Sequence, residues 1–203
     1  MLFDDANTPR SLRDLDAIAR RIQQLHEPHI IKLTQYVSDL RLKEPSWEFP
    51  DFDPCDGGQD ADILFLLEKP GPKTSLRGGG SGFISRNNND ATAEALFNFM
   101  NVASIPRERT ILWNSIPGWN GTIKMAPNEV RSGINELVHL LGLLPNIRTV
   151  VMVGRKAERA RAILEDRKLR LLTSAHPSPK VRALNKYKWD LIPTQWKEAL
   201  TIA

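Results

Sequence analysis

From residue 61 onward, short apolar runs alternate with longer segments that carry apolar residues at helical spacing. The runs predict four strands, at 61–67, 110–114, 149–153 and 169–174. The other segments predict helices at 90–100 (capped by Asp90), 127–143 (opened by Pro127), 155–165 and 188–200. Strands that alternate with helices pair in parallel through right-handed crossovers, with helices on both faces. We therefore expect an α/β fold, a three-layer α/β/α sandwich around a four-stranded parallel sheet, as one domain over 1–203.

Residues 1–58 are expected to form an N-terminal helical extension and a surface connection. Ser11 is a candidate N-cap, because the residues after it follow a helical apolar pattern. The apolar positions are Leu12, Leu15, Ile18, Ala19 and Ile22. A second helical pattern covers 29–42. The stretch 44–58 is rich in Pro, Asp and aromatic residues, which predicts an irregular segment on the surface.

The composition excludes several classes of protein. Of the 203 residues, 41% are hydrophobic and 26% charged, which is ordinary for a globular chain. No run approaches the roughly 20 apolar residues of a membrane span. The single Cys55 excludes an internal disulfide and any four-cysteine metal or iron–sulfur site, and the four histidines lack clustered acidic partners. We expect a cytoplasmic protein without metal or cofactor.

The charge is distributed unevenly along the chain. Residues 1–68 carry 7 Lys/Arg against 14 Asp/Glu, a net charge of −7, whereas 155–203 carry 12 against 5, a net charge of +7. A basic cluster near a candidate site suggests a polyanionic partner such as DNA. Helices with solvated basic faces are the alternative explanation, and charge alone does not decide between them.

Polar residues follow three of the predicted strands directly. Glu68 comes after the first strand, Asn114 ends the second, and His176 follows the fourth. In a parallel sheet, ligands bind beyond the carboxyl ends of the strands, so we expect these side chains to share one edge. Phosphate-loop and GxSxG motifs are absent, which argues against a nucleotide triphosphatase and a serine hydrolase.

Four motifs in the same order resemble the uracil-DNA glycosylase superfamily. They read LLEKPGPK after the first strand, LWNSIPGW at the second, VVMVGRKAERAR at the third and HPSPKVRALNKYKW after the fourth. The last two are most similar to the single-strand-selective branch, and the resemblance covers 61–189. The chain departs from the family pattern in motif one. Leu67 replaces the first glycine, and Lys69 stands where several branches have a catalytic Asp or Asn. Glu68 falls where the iron–sulfur branch has its glutamate.

The resemblance implies a monofunctional DNA glycosylase that removes uracil or a related deaminated base from DNA. Departure of a pyrimidine leaves negative charge on the base and positive charge on the sugar, so a donor and an activated water are needed. We expect His176 to donate to the base O2 and Glu68 to activate the water. An amide such as Asn114 can pair with both O4 and N3–H of uracil.

Further residues are assigned to base and backbone contacts. Phe83 is the candidate stacking partner of a flipped base. DNA-binding candidates are Lys69, Ser178, Lys180, Arg182 and Lys186, and Val181 or Leu184 is a candidate wedge. Two rival interpretations remain. The first is a catalytically impaired member of the fold that binds lesions or single-stranded DNA, which Lys69 favours. The second is a small-molecule hydrolase, which the basic C-terminal third disfavours.

Overall fold

The computed structural model describes residues 5–201 and confirms the α/β fold with a four-stranded parallel sheet. The strands are β1 (Asp51–Phe52), β2 (Ile63–Leu67), β3 (Phe83–Ile84), β4 (Thr110–Asn114), β5 (Thr149–Val153) and β6 (Arg170–Ser174). The α-helices are α1 (Leu15–Gln23), α2 (Ile31–Lys43), α3 (Ala91–Val102), α4 (Pro127–Leu143), α5 (Arg161–Glu165), α6 (Pro179–Leu184), α7 (Lys186–Asp190) and α8 (Ile192–Lys197). Within 5–201, no helix is long and apolar enough to cross a membrane.

The main sheet has the strand order β4-β2-β5-β6, with every pair parallel. The crossover through α3 runs from β2 to β4, and the next one, through α4, runs back to β5. Right-handed crossovers in opposite directions place α3 and α4 on opposite faces of the sheet. On one face, Phe65 of β2 packs edge-on against Trp196 of α8, with ring centroids 5.0 Å apart. On the other face, Trp113 of β4 contacts Tyr36 of α2.

The strands β2, β4 and β5 are buried at every position, although β4 lies at one edge of the sheet. Continuous apolar runs such as ILFLL in β2 are therefore the signature of a sheet covered on both faces. The strand β6 lies at the edge and is only partly buried until Ser174, whose hydroxyl accepts a hydrogen bond from the Trp196 indole at 2.8 Å. The predicted caps of α3 and α4 are observed, because the Asp90 carboxylate accepts from two backbone N–H groups and Pro127 opens α4.

The first helix, α1, does not bury the face that its apolar pattern predicts. Leu15 and Ile22 are exposed, at 78% and 53%, whereas Ala17 and Arg21 are buried. Asp14 caps this helix, and Ser11 belongs to a short 3-10 turn before it. Arg21 of this helix forms a buried ion pair with Asp53, which requires the Arg21 face of the helix to point inward.

The stretch 44–58, expected as a surface connection, is largely internal. Phe49 and Phe52 are buried, and Phe52 stacks on Trp113 with ring centroids 4.1 Å apart. The strand β1 pairs in parallel with β3, forming a second, two-stranded sheet that the sequence did not predict. Pairs this short leave little periodicity, so only the tertiary contacts reveal them.

A buried ionic network joins this stretch to the rest of the molecule. The Asp53 carboxylate accepts from Arg21 Nε at 2.9 Å and from Arg107 Nη2 at 2.7 Å, and both of its oxygens receive a second donor, from Cys55 N and Ser85 Oγ. Burial by itself raises the pKa of Asp53, but Arg107 and Arg21 outweigh it and hold that pKa below its ordinary value. The charged form is therefore the native one.

The region after β6 is more helical than predicted. Instead of one helix over 188–200, three short helices, α6, α7 and α8, follow the HPSP loop. Ser178 caps α6 and Asn185 caps α7, since each side chain accepts a backbone hydrogen bond. The interruptions at Asn185 and Leu191 allow the chain to turn back onto the sheet.

Replacing Asp53 by Ala is expected to destabilise the fold by about 3–5 kcal/mol, because it leaves the buried Arg21 without a carboxylate and leaves Arg107 with Asp56 alone. Urea unfolding followed by circular dichroism measures the change. Since the folded pKa is lowered, the contribution of Asp53 is present above pH 4 or so and is lost as the pH falls further, so the two proteins should converge in acid.

The matched control for this measurement is Asp190→Ala. Asp190 pairs with Lys186 on the surface at 2.6 Å, and such exposed pairs contribute only about 0–1 kcal/mol. Equal losses in the two variants would contradict a structural role for the buried network.

Candidate functional site

A cavity of about 1170 Å³ lies at the carboxyl edge of the main sheet. Its floor is formed by the ends of β2, β4 and β6, and its walls by the start of α3 and by α6 and α7. The structure places Glu68, Asn114 and His176 in the lining of this cavity. Three segments that are distant in the sequence therefore meet here, because parallel strands end at the same edge.

Glu68 and His176 both lie close to Gly154. A methyl group built on Gly154 would lie 2.7 Å from Glu68 Oε1 and 3.1 Å from His176 Cβ. Gly154 also has φ +91°, a conformation that side chains rarely adopt. Only glycine therefore lets the end of β5 pass this close to both groups.

The imidazole of His176 is kept neutral by its surroundings. Burial lowers its pKa below 6.5, Glu68 and Asp90 act in the opposite direction, and Lys156 adds to the lowering. The net result is a histidine that is uncharged at neutral pH. A neutral ring can still donate one N–H to an acceptor in the cavity.

Asn114 ends β4 next to Leu67, its register partner in β2. The loops that follow the two strands are tied together, since Ser115 N donates to Leu67 O at 2.9 Å and Ile116 N donates to Glu68 O at 3.0 Å. The Asn114 side chain is 4% exposed and hydrogen-bonds to no other residue within 5–201. The backbone at Asn114 is therefore fixed by the sheet and the loop contacts, and its amide is available to a ligand.

Phe83 does not reach the cavity, so its expected stacking role is corrected. It is 1% exposed and packs with Leu12, Ala17 and Leu25 in a small cluster beside the N-terminal helices. Successive residues of a strand point to opposite faces, and it is Ile84 that lines the cavity. The wall at this position is therefore aliphatic.

Lys69 is also placed differently from the expected phosphate contact. Its ammonium donates to Asn120 Oδ1 at 2.8 Å, to the Lys124 carbonyl at 2.9 Å and to Glu129 Oε2 at 3.1 Å. It also lies 5.2 Å from the centre of a Trp47 ring, and its side chain is 3% exposed. All three ammonium donors are thus used within the protein, where they fix the loop before α4.

The other DNA-binding candidates divide into two groups. Ser178 and Lys180 line the cavity, although the Ser178 hydroxyl also caps α6. Arg182 and Lys186 lie outside it: the Arg182 guanidinium packs 5.7 Å from the Trp189 ring, and the Lys186 ammonium pairs with Asp190. For the second pair, contact with DNA stays a prediction about the outer surface.

Several cavity residues were missed from the sequence. They are Lys73, Asp90, Arg155, Lys156, Tyr187 and Lys188. Two of them were within reach of sequence reasoning, because Arg155 and Lys156 follow β5, whose carboxyl end lies at the same edge as the other strand ends. Asp90 was recognised only as a helix cap, and its position in the cavity depends on how α3 docks.

Exposed apolar side chains stand at the mouth of the cavity. Leu184 and Tyr187, on α6 and α7, are 75% and 74% exposed, and Ile123 is 70% exposed in the loop after β4. Large apolar side chains left in water beside a cavity are typical of a surface that covers a ligand. Val181, the other candidate wedge, is only partly exposed.

Comparisons with known proteins give matches to solved structures only. No family model and no curated protein matches the chain. The chain is similar to the NMR structure of a protein from Methanosarcina acetivorans, proposed to be a uracil DNA glycosylase, with a TM-score of 0.49 and 17% identity over 70% of this chain and 93% of that one. It is also similar to the wild-type UNG of Nitratifractor salsuginis, with a TM-score of 0.45 and 14% identity over 93% of this chain and 98% of that one.

The titration of His176 tests the electrostatics of the cavity. We expect the NMR titration midpoint of His176 to lie below 6.5. In Glu68→Gln the midpoint should decrease further, because the Glu68 carboxylate stabilises the imidazolium form and the variant lacks it. Glu108→Gln serves as the control, because Glu108 is exposed outside the cavity, and it should leave the His176 midpoint unchanged. A rise of the His176 midpoint in Glu68→Gln would contradict the arrangement.

Proposed function

We propose that this protein is a monofunctional DNA glycosylase that hydrolyses the N-glycosidic bond of uracil, or of a related deaminated base, in DNA. The observation that carries the proposal is the meeting of Glu68, Asn114 and His176 in one cavity. A carboxylate, a free carboxamide and a neutral imidazole are the groups that this hydrolysis needs. The ordered motifs at the strand ends resemble the uracil-DNA glycosylase superfamily and agree with this assignment.

The proposed reaction breaks the bond between the base nitrogen and C1′ and forms a bond from C1′ to a water oxygen. The electron pair of the broken bond stays on the base, where the charge spreads to O2. His176 donates its N–H to that oxygen, and Glu68 accepts a proton from the attacking water. Glu68 then releases the proton to solvent and the departed base takes one up at its ring nitrogen, so that the carboxylate is regenerated and the products are the free base and an abasic sugar.

Recognition of the base is assigned to Asn114. Its amide offers a donor to O4 and an acceptor to N3–H of uracil, while cytosine presents the reverse pattern at these atoms. With Phe83 directed away, the base lies against aliphatic neighbours such as Ile84, Leu96 and Leu112. Selection then depends on hydrogen bonds and shape more than on aromatic stacking.

Recognition of the DNA backbone is assigned to the cations around the cavity mouth. Lys73, Lys180 and Lys188 line the cavity, and none of them forms an ion pair with another residue within 5–201. Leu184 is the candidate to fill the stack that the flipped nucleotide leaves, since it is exposed beside the cavity. The binding-only alternative rests on Lys69, which stands where several branches have a catalytic Asp or Asn. The Lys69 ammonium is bound within the protein, so the glycosylase proposal requires Glu68 to activate the water instead.

Incubation with uracil-containing single- and double-stranded oligonucleotides, followed by alkaline cleavage, tests the proposal. We expect cleavage at uracil by the wild-type protein. We expect His176→Ala to lower the excision rate by about 10²–10³-fold through loss of the donor, and Glu68→Gln to lower it by about 10²-fold or more.

The matched control is His26→Ala, because His26 is exposed and lies outside the cavity. This variant should excise at the wild-type rate. A wild-type protein that shifts the oligonucleotides on a gel but never cleaves them would exclude the glycosylase and support a DNA-binding protein.

Salt dependence separates the two kinds of lysine near the cavity. Removing one phosphate contact lowers the slope of log affinity against log salt by about 1. We expect this for Lys180→Met, measured by fluorescence anisotropy on a uracil-containing single strand. Lys69→Met should instead leave the slope unchanged and lower the stability, because Glu129 loses a buried partner. A reduced slope in Lys69→Met would refute this assignment.

A further inference from the structure

We propose that Lys156 is a positioning residue that fixes the Glu68 carboxylate in the cavity and keeps it apart from His176. The inference rests on the proposed function, because it concerns the carboxylate that is assigned to the attacking water. Lys156 lies in the turn after β5 and does not belong to the three strand ends from which the site was predicted.

The contact between the two residues is made twice. The backbone N–H of Lys156 donates to Glu68 Oε1 at 3.3 Å, and the Lys156 ammonium lies 3.6 Å from Glu68 Oε2. Lys156 thus contacts both oxygens of the Glu68 carboxylate, one through its main chain and the other through its side chain. Attachment at two points restricts rotation of the carboxylate, which a single surface ion pair would not do.

The turn that carries Lys156 is built for this close approach. Gly154 has φ +91°, and its carbonyl accepts from Ala157 N at 3.0 Å, which closes the turn. The missing side chain of Gly154 leaves room for Glu68 Oε1, which would lie 2.7 Å from a Cβ atom. The position of the Lys156 N–H relative to Glu68 is therefore set by the backbone.

The charged groups around His176 explain why a cation is useful here. Glu68 and Asp90 both favour the imidazolium form, while Lys156 and burial oppose it. Without Lys156, Glu68 is free to pair with a protonated His176. In that ion pair, Glu68 would not be available to the water and His176 would not be available to the base. The ammonium gives Glu68 a different partner, which leaves the His176 N–H for the base.

A direct role for Lys156 in binding phosphate is the competing explanation. The Lys156 side chain is 47% exposed and lines the cavity, so its ammonium can reach a ligand there. The two roles differ in what they change. A phosphate contact affects KM and the salt dependence, whereas a positioning contact affects kcat and requires Glu68.

The experiment compares Lys156→Met, Lys156→Arg and Arg159→Met in the full-length chain, with uracil-containing oligonucleotides as substrate. Arg159 is an exposed cation in the short 3-10 helix Ala157–Ala160, just after the turn, and it lies outside the cavity. We expect kcat to fall about 10- to 100-fold in Lys156→Met with little change in KM, partial recovery in Lys156→Arg, and wild-type kinetics in Arg159→Met.

The double variant Glu68→Gln/Lys156→Met tests whether Lys156 acts through Glu68. If it does, the second change lowers kcat less than 2-fold or so beyond Glu68→Gln alone, because the two effects are not independent. Losses that multiply, a raised KM with a reduced salt slope, or a covalent adduct trapped by borohydride would each overturn the proposal. The last two results would assign the ammonium to DNA itself.

An NMR titration keeps this inference separate from the proposed function. We expect Lys156→Met to raise the His176 midpoint, and to raise it less in the Glu68→Gln background. An unchanged midpoint would overturn the positioning role even in an active enzyme. A wild-type protein without uracil excision would instead refute the proposed function, while a Glu68-dependent rise would still support the contact.

Discussion

The ionic network around Asp53 is the constraint on which the rest of the structure depends. A carboxylate without access to water receives Arg21 from the first helix, Arg107 from the segment before β4, and Ser85 from the loop before α3. Loss of Asp53 would leave the buried Arg21 without a carboxylate, which is far more costly than the loss of an exposed pair. These contacts fix the positions of the three segments relative to one another. The segment that carries Ser85 continues to Asp90 at the start of α3, so the same contacts position this wall of the cavity.

The network also explains why the molecule accepts two unfavourable local features. The apolar side chains of Leu15 and Ile22 face outward because the same helix must direct Arg21 inward. Phe83 is covered by this N-terminal layer and is thereby withdrawn from the cavity, where Ile84 takes its place. The shape of the candidate site thus follows from a contact that lies outside it.

Much of the fold was predictable because its signals are local. The runs of β2, β4 and β5 are apolar at every position, and Asp90 and Pro127 mark the helix starts within one residue. The placement of Glu68, Asn114 and His176 at one edge followed from parallel topology alone. Three features were not predictable, because each depends on partners far away in the chain. They are the pairing of β1 with β3, the breaks between α6, α7 and α8, and the face that α1 buries.

The amino-acid sequence by itself determined the class of fold, the strand ends and the chemical types of group at the carboxyl edge. Periodicity and polar residues after strands are properties of neighbouring positions, so they can be read without coordinates. Only the tertiary structure decided which side chains are free to act. The Lys69 ammonium donates to Glu129 and Asn120, and Phe83 is buried in a cluster outside the cavity. Lys156 forms an ion pair with Glu68. Pairing of charges and burial depend on distances across the fold, and no local pattern encodes them.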